Sequence, residues 1–201
     1  MTLAPEISRP PVLARRTRIG IAVALIAFAI IVPFVACEGR KAEPSGIGKY
    51  RFGTTTRANV HEGVCQPTEL TDGRKAVWCF ALPPVKVGKR VAEVDAYFLG
   101  TDPPALPETA TKEQVAEFKE AQEKLPLIEV QLKVRGCDEY ETEQWISQRF
   151  GKPSADSKPT RKYWHNSFLW VGAFLPSEPS RCLIHFLPIS ENAEIERLKQ
   201  K

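Results

Sequence analysis

The alternation of apolar and polar positions divides this chain into three regimes. Ile19 to Ala36 is an uncharged run of aliphatic and small residues, and residues 38–48 (EGRKAEPSGIG) are polar, with proline and glycine among them. From Lys49 onward, short alternating segments are separated by Gly, Pro and Asp clusters, the pattern of strands and turns. Val91–Leu99 places Ala92, Val94, Ala96 and Phe98 on one face and Glu93, Asp95 and Tyr97 on the other. Leu127–Arg135 does the same, with Ile128, Val130, Leu132 and Val134 inward and Glu129, Gln131, Lys133 and Arg135 outward. Lys75–Leu82, Lys162–Leu175 and Arg181–Leu187 are aromatic and β-branched and read as further strands, the last two joined by a turn with Pro176 and Pro179.

Two stretches between these strands have helical character. Thr111 is an N-cap with Gln114 at the capping-box position; Val115, Phe118 and Leu125 lie near one stripe, and Pro126 ends the helix. The second helix runs from about Tyr140 to Phe150, with Trp145, Ile146 and Phe150 apolar and Gly151 and Pro153 as stop signals. Residues 153–161 form a loop, and a polar tail from residue 190 has room for a short helix.

The sharpest local expectation lies between Val64 and Phe80. Thr71-Asp72-Gly73 fits a three-residue hairpin loop with glycine in the left-handed region. That loop pairs residues whose numbers sum to 144, so Leu70 faces Arg74 and Cys65 faces Cys79. Directly opposed strand residues are close enough for a disulfide. Cys137, at the start of the second helix, and Cys182, in the last strand, then pair by elimination.

Charge and cysteine usage change meaning once the first regime is set apart. Arg9, Arg15, Arg16 and Arg18 precede the apolar run and Cys37 closes it, which is how an export signal is built. The arginine end stays cytoplasmic and the chain beyond the apolar run is translocated. Phe34-Val35-Ala36-Cys37 resembles the lipobox of bacterial lipoproteins, which makes Cys37 a lipidation candidate. The run is also close to the ~20 residues that span a bilayer, so an uncleaved anchor is the alternative, and plain secretion a third. Four of the 28 basic and one of the 24 acidic residues lie in positions 1–37, which leaves the body with a net charge of about +1 and four cysteines. An even-cysteine body in an oxidising compartment predicts disulfides. A nearly neutral body has no electrostatic motive to bind nucleic acid.

Candidate chemistry is sparse. No Gly-x-Ser-x-Gly elbow, phosphate-binding loop or His-Glu-x-x-His motif occurs, and the three histidines are His61, His165 and His185. Cys182 and His185 are three apart in a strand and so face opposite ways, which argues against a metal site. Asp138, Glu139, Glu141 and Glu143 gather at a helix start, where carboxylates complement the helix dipole. The aromatic stretch Tyr163–Trp170, read as one strand, puts Trp164, Phe168, Trp170 and Phe174 on one face, with Gly172 marking a bulge. Trp164, His165 and Phe168 are therefore the candidate binding residues for a peptide or glycan, against the plainer reading of a buried central strand.

Gly136, Thr142-Glu143-Gln144-Trp145, Gly151-Lys152-Pro153 and Trp164 follow a helix–Gly-x-Pro–strand pattern. It resembles that of small outer-membrane assembly lipoproteins of the SmpA/OmlA type. The resemblance implies a non-catalytic envelope scaffold. The whole reading is an α+β protein: a signal peptide or membrane anchor over 1–37, a tether over 38–48, an extracytoplasmic domain over 49–189 and a polar tail over 190–201. The domain is expected to have a mainly antiparallel sheet, two covering helices and two disulfides. The expected function is membrane-tethered and non-enzymatic, a binding or scaffolding role with an envelope protein as partner, no cofactor and no nucleic acid. The alternatives are a secreted-side inhibitor or carbohydrate- or peptide-binding module, and an envelope hydrolase with a histidine and carboxylates drawn from distant segments.

Overall fold

Alternating strands with one apolar face must bury that face, and here they do so within a single seven-stranded sheet. The computed structural model describes residues 44–176 and 181–200. The expected signal or anchor segment, Cys37 and most of the expected tether lie outside the described residues. The strands are β1 (Gly46–Ile47), β2 (Tyr50–Arg51), β3 (Val64–Glu69), β4 (Lys75–Val87), β5 (Arg90–Leu99), β6 (Leu127–Arg135), β7 (Arg161–His165), β8 (Leu169–Phe174) and β9 (Arg181–Pro188). The helices are α1 (Lys112–Glu123), α2 (Glu139–Phe150) and α3 (Asn192–Gln200). β1 and β2 form a small separate hairpin, and the large sheet runs β3-β4-β5-β6-β9-β8-β7 with every neighbouring pair antiparallel. Two meanders, β3–β5 and β7–β9, thus meet with β6 and β9 at the centre. Among the described residues no helix is long and apolar enough to cross a membrane.

The β3–β4 hairpin has the expected register, from Val64 opposite Phe80 to Glu69 opposite Lys75. Gly73 sits at φ 83°, and its N–H donates to the Leu70 carbonyl at 3.0 Å. Cys65 and Cys79 are directly opposed, 4.0 Å apart at Cα, and disulfide-bonded; Cys137 and Cys182 form the second bridge. The second bridge ties the entry to α2 onto β9. β4 is longer than its alternation indicates, because Pro83-Pro84 lies beyond the end of β3. There β4 has lost its outer neighbour and pairs with β5 through register shifts, so the missing N–H groups cost little.

One face of the sheet is the main core. Ala96, Val130, Phe186, Val171 and Trp164 stand in register across five strands, next to a row of Val94, Leu132, Ile184 and Ala173. α2 covers this face with Trp145, Ile146 and Phe150, whose ring lies 6.0 Å from that of Phe186. Ile47, Tyr50 and Val60 complete the cover. The end of the expected tether is therefore part of the fold, because Ile47 and Tyr50 gain burial there. Ile128 is an exception to the expected alternation. Tyr97 pairs with Glu129 and Phe98 with Leu127, so Ile128 bulges onto the other face with Leu70, Ala76, Tyr97 and Leu99, and Leu127 takes the core position.

The helices differ from expectation in which ones cover the sheet. α1 has its capping box, with Gln114 N–H donating to Thr111 Oγ1 at 3.3 Å, but Val115 is exposed and only Gln122 is buried within it. Its apolar stripe is too narrow to hold it on the sheet, and it lies at the rim beside Arg57–Asn59. Its Gln122 donates to Asp102, which also pairs with Arg57 at 3.1 Å. The tail instead folds as α3 and docks on the second face through Ile195 and Leu198, against Tyr163, Trp170 and Leu187.

Candidate functional site

Lys162–Leu175 is not one strand but a hairpin. Asn166 makes the turn: its Oδ1 accepts from the N–H groups of Phe168 and Leu169, both at 2.8 Å, and its own N–H donates to the Leu169 carbonyl. The turn reverses the chain, so Trp164 and Trp170 point to opposite faces. Trp164 is fully buried in the main core, its indole N–H donating to Ser147 Oγ at 3.2 Å. It offers no surface to a partner. His165 is exposed and Phe168 is 58% exposed at the hairpin tip, so two of the three expected binding residues remain outside. Gly172 makes no bulge; it pairs in continuous register with Tyr163 and His185.

The remaining sequence candidates resolve as structure. Asp138 Oδ1 accepts from Glu141 N–H at 2.7 Å as the N-cap of α2, Glu141 accepts from Lys89 N–H, and Glu143 faces Lys162 at 3.7 Å. His61 is exposed, and its neighbour Glu62 pairs with Lys49 at 3.1 Å. Cys182 lies in the core and His185 on the opposite face of β9, as the strand period requires.

The second face of the sheet carries what composition and motifs concealed. Asp95, Gln131, His185, Gly172 and Tyr163 stand in one row across β5, β6, β9, β8 and β7. A row towards one end contains Trp78, Tyr97 and Glu129, and a row towards the other contains Glu93, Lys133, Leu183, Phe174 and Arg161. His185 Nδ1 and Glu129 Oε1 are 2.6 Å apart, both side chains buried, and Gln131 Nε2 donates to the same oxygen at 2.9 Å. Asp95 is buried and accepts from Trp78 Nε1 at 2.9 Å and Lys133 Nζ at 2.5 Å. Burial pushes the Tyr97 hydroxyl well above its ordinary value, and the nearby Glu129 and Asp95 carboxylates push it further.

Over this face lies a cavity of about 420 Å³. Its walls are Tyr97, Tyr163, Trp170, Phe174, Leu183 and Leu198, with the polar groups of Gln131, His185, Arg161 and Arg197. That size and mixture, mostly apolar with a few converging polar groups, is the usual make-up of a small-molecule site. Tyr163 and Trp170 stack at 5.5 Å, and the indole folds back over Gly172, where a Cβ would lie 2.1 Å from Trp170 Cη2. Glycine here serves close packing rather than an unusual backbone.

α3 forms one wall of the cavity and is fastened at its far end to the β3–β4 hairpin. Glu191 pairs with Arg74, and Glu194 Oε1 accepts from Thr71 N–H at 2.9 Å while its other oxygen meets Arg197 Nε at 2.7 Å. Burial raises the Glu194 carboxyl, but Arg197 and the Thr71 donors outweigh it and hold the group below its ordinary range. Among the described residues no cluster of three or more His, Cys, Asp or Glu side chains is arranged to hold a metal ion.

Comparison of the chain with protein-family models, curated proteins and solved structures finds no match in any of the three. The cavity therefore has to be interpreted from its own chemistry. Sequence reasoning missed it because its lining comes from five strands and one helix spread along the chain, one to four residues from each. The available signal was the outward row Glu129, Gln131 and Lys133 on a central strand, polar where a doubly covered strand would be apolar.

Proposed function

We propose that this chain is a membrane-tethered protein whose body lies on the extracytoplasmic side of the cell envelope and has a non-catalytic binding role, with the cavity as its binding site. The disulfides support the location, because such bonds persist in oxidising compartments. The observation that carries the binding reading is the aromatic-walled cavity with Arg161, Arg197 and His185 in its lining. The exposed hairpin tip with His165 and Phe168 supplies a separate contact surface for an envelope protein partner.

One observation favours a second reading. A buried His185–Glu129 pair beside a cavity is the arrangement of a general base with its orienting carboxylate, and it fits an envelope hydrolase. Two measurements test the proposal. When cells are quenched in acid and the chain is denatured with excess maleimide, Cys65, Cys79, Cys137 and Cys182 should take up the label only after reduction; labelling of these four without reductant contradicts the location. The chain purified from membranes should show a small-molecule adduct by native mass spectrometry that Trp170→Leu loses. Steady turnover of model esters abolished by His185→Gln would replace the binding reading with the hydrolase.

A further inference from the structure

The chemistry of the cavity limits what it can hold. Its walls contribute four aromatic rings, two leucines, two guanidinium groups and one imidazole, and no carboxylate belongs to the lining. Arg161 has no carboxylate partner among the described residues; its guanidinium rests 6.0 Å from the Phe174 ring centre. Arg197 uses Nε for Glu194, which leaves the Nη edge of its fork for another acceptor. Tyr163 presents its ring to the cavity, and its hydroxyl is buried away from it.

Arg161 and Tyr163 lie within one patch with the residues opposite them. Arg161 and Tyr163 are alternate residues of β7 on the same face, Phe174 is directly opposite Arg161, and Gly172 is directly opposite Tyr163. Arg161 therefore stands at the β7 edge of the cavity, with Trp170 and Leu198 packed together beside it. A cation at the β7 edge would be repelled by Arg161, whose charge no carboxylate among the described residues offsets. A neutral apolar molecule would leave the Arg161 guanidinium without an acceptor.

We infer that the cavity binds a small carboxylate with an apolar body, the carboxylate meeting Arg161 and the body lying against Trp170 and Leu198. A planar carboxylate suits the fork of an arginine, which can donate two parallel hydrogen bonds to it. Aryl acids and fatty acids share this chemistry, and aromatic walls accept either. The inference rests on the cavity being a binding site, as proposed above.

The test uses the full chain in lipid nanodiscs, with empty nanodiscs as reference, and equilibrium dialysis of six probes. They are 2-naphthoate, 2-naphthalenemethanol and 2-naphthylmethylamine, and decanoate, decanol and decylamine. At least one acid should bind ten-fold or more tightly than its alcohol and amine, and the ratio of naphthoate to decanoate assigns the aryl or the fatty source. Arg161→Gln should cut acid binding at least ten-fold and leave alcohol binding within two-fold, while Arg161→Lys should restore part of the acid preference. Equal binding of acid, alcohol and amine, lost in Trp170→Leu, overturns the carboxylate class and leaves the cavity as a binding site. Loss of acid and alcohol together in Arg161→Gln, with circular dichroism unchanged, also overturns it. No uptake of any probe above the empty nanodiscs overturns both the class and the site.

Discussion

Gly172→Ala probes the one close contact on which the shape of the cavity depends. The added Cβ would lie 2.1 Å from Trp170 Cη2, 2.7 Å from Cζ3 and 3.0 Å from Cζ2. Carbon atoms pack at about 3.5–4.0 Å, so the indole must retreat by more than ~1 Å, away from its stack on Tyr163. Overpacking of this kind costs about 1–3 kcal/mol. Alanine opposes it with a gain of ~0.4–1 kcal/mol, because it restricts the unfolded chain where the native backbone suits any residue. The net expectation is a loss of roughly 0.5–2 kcal/mol, read as a lower urea midpoint at unchanged slope by far-ultraviolet circular dichroism of the oxidised chain. In a Trp170→Leu background the obstructing ring is gone, and the same substitution should be stabilising by ~0.4–1 kcal/mol. An equal loss in both backgrounds would refute the reasoning, since the cost would then not come from the indole.

Three further outcomes are expected from the same geometry. Replacing Cys65 and Cys79 together by alanine should cost about 3 kcal/mol and replacing Cys137 and Cys182 about 4 kcal/mol in the chain-entropy account, the order following their sequence separations of 14 and 45; the reverse order in urea unfolding would contradict it. Glu194 has a folded-state pKa below its unfolded one, so the unfolded chain binds more protons and the stabilisation, complete above the ordinary glutamate range, is lost as the pH falls through the lower folded value. Glu194→Gln should flatten the acid limb of the stability–pH curve, and an unchanged limb would count against the latch between α3 and the β3–β4 hairpin. Trp164→Ala should cost about 3–5 kcal/mol, while Phe168→Ala at the hairpin tip stays within about 0.5 kcal/mol; comparable losses would contradict their placement on opposite sides of the core boundary.

The amino-acid sequence by itself determined the local chemistry of this protein. Thr71-Asp72-Gly73 specified a turn, the turn specified a register, and the register brought Cys65 to Cys79, because each step depends on neighbours in the chain. Period-two alternation likewise defined the core faces of β5 and most of β6. Where the alternation met a bulge at Ile128 or a reversal at Asn166, the faces changed, since one extra residue or one tight turn redirects every side chain beyond it.

The tertiary structure alone decided which faces are covered and what the second face assembles. Val115 and Phe118 gave α1 helical spacing without enough apolar width to dock, whereas the apparently polar tail carries Ile195 and Leu198 where the sheet can use them. His185, Glu129, Tyr163 and Arg161 are inconspicuous in sequence because they are separated by up to dozens of residues and carry no motif. Antiparallel pairing of β6, β9, β8 and β7 sets them within a few strand spacings of one another, and the Gly172 gap lets Trp170 fold over as the wall beside them. Local patterns fix turns and alternation because those act over a few bonds. A site lined by side chains from separate strands and a helix exists only once non-local pairing has brought them together.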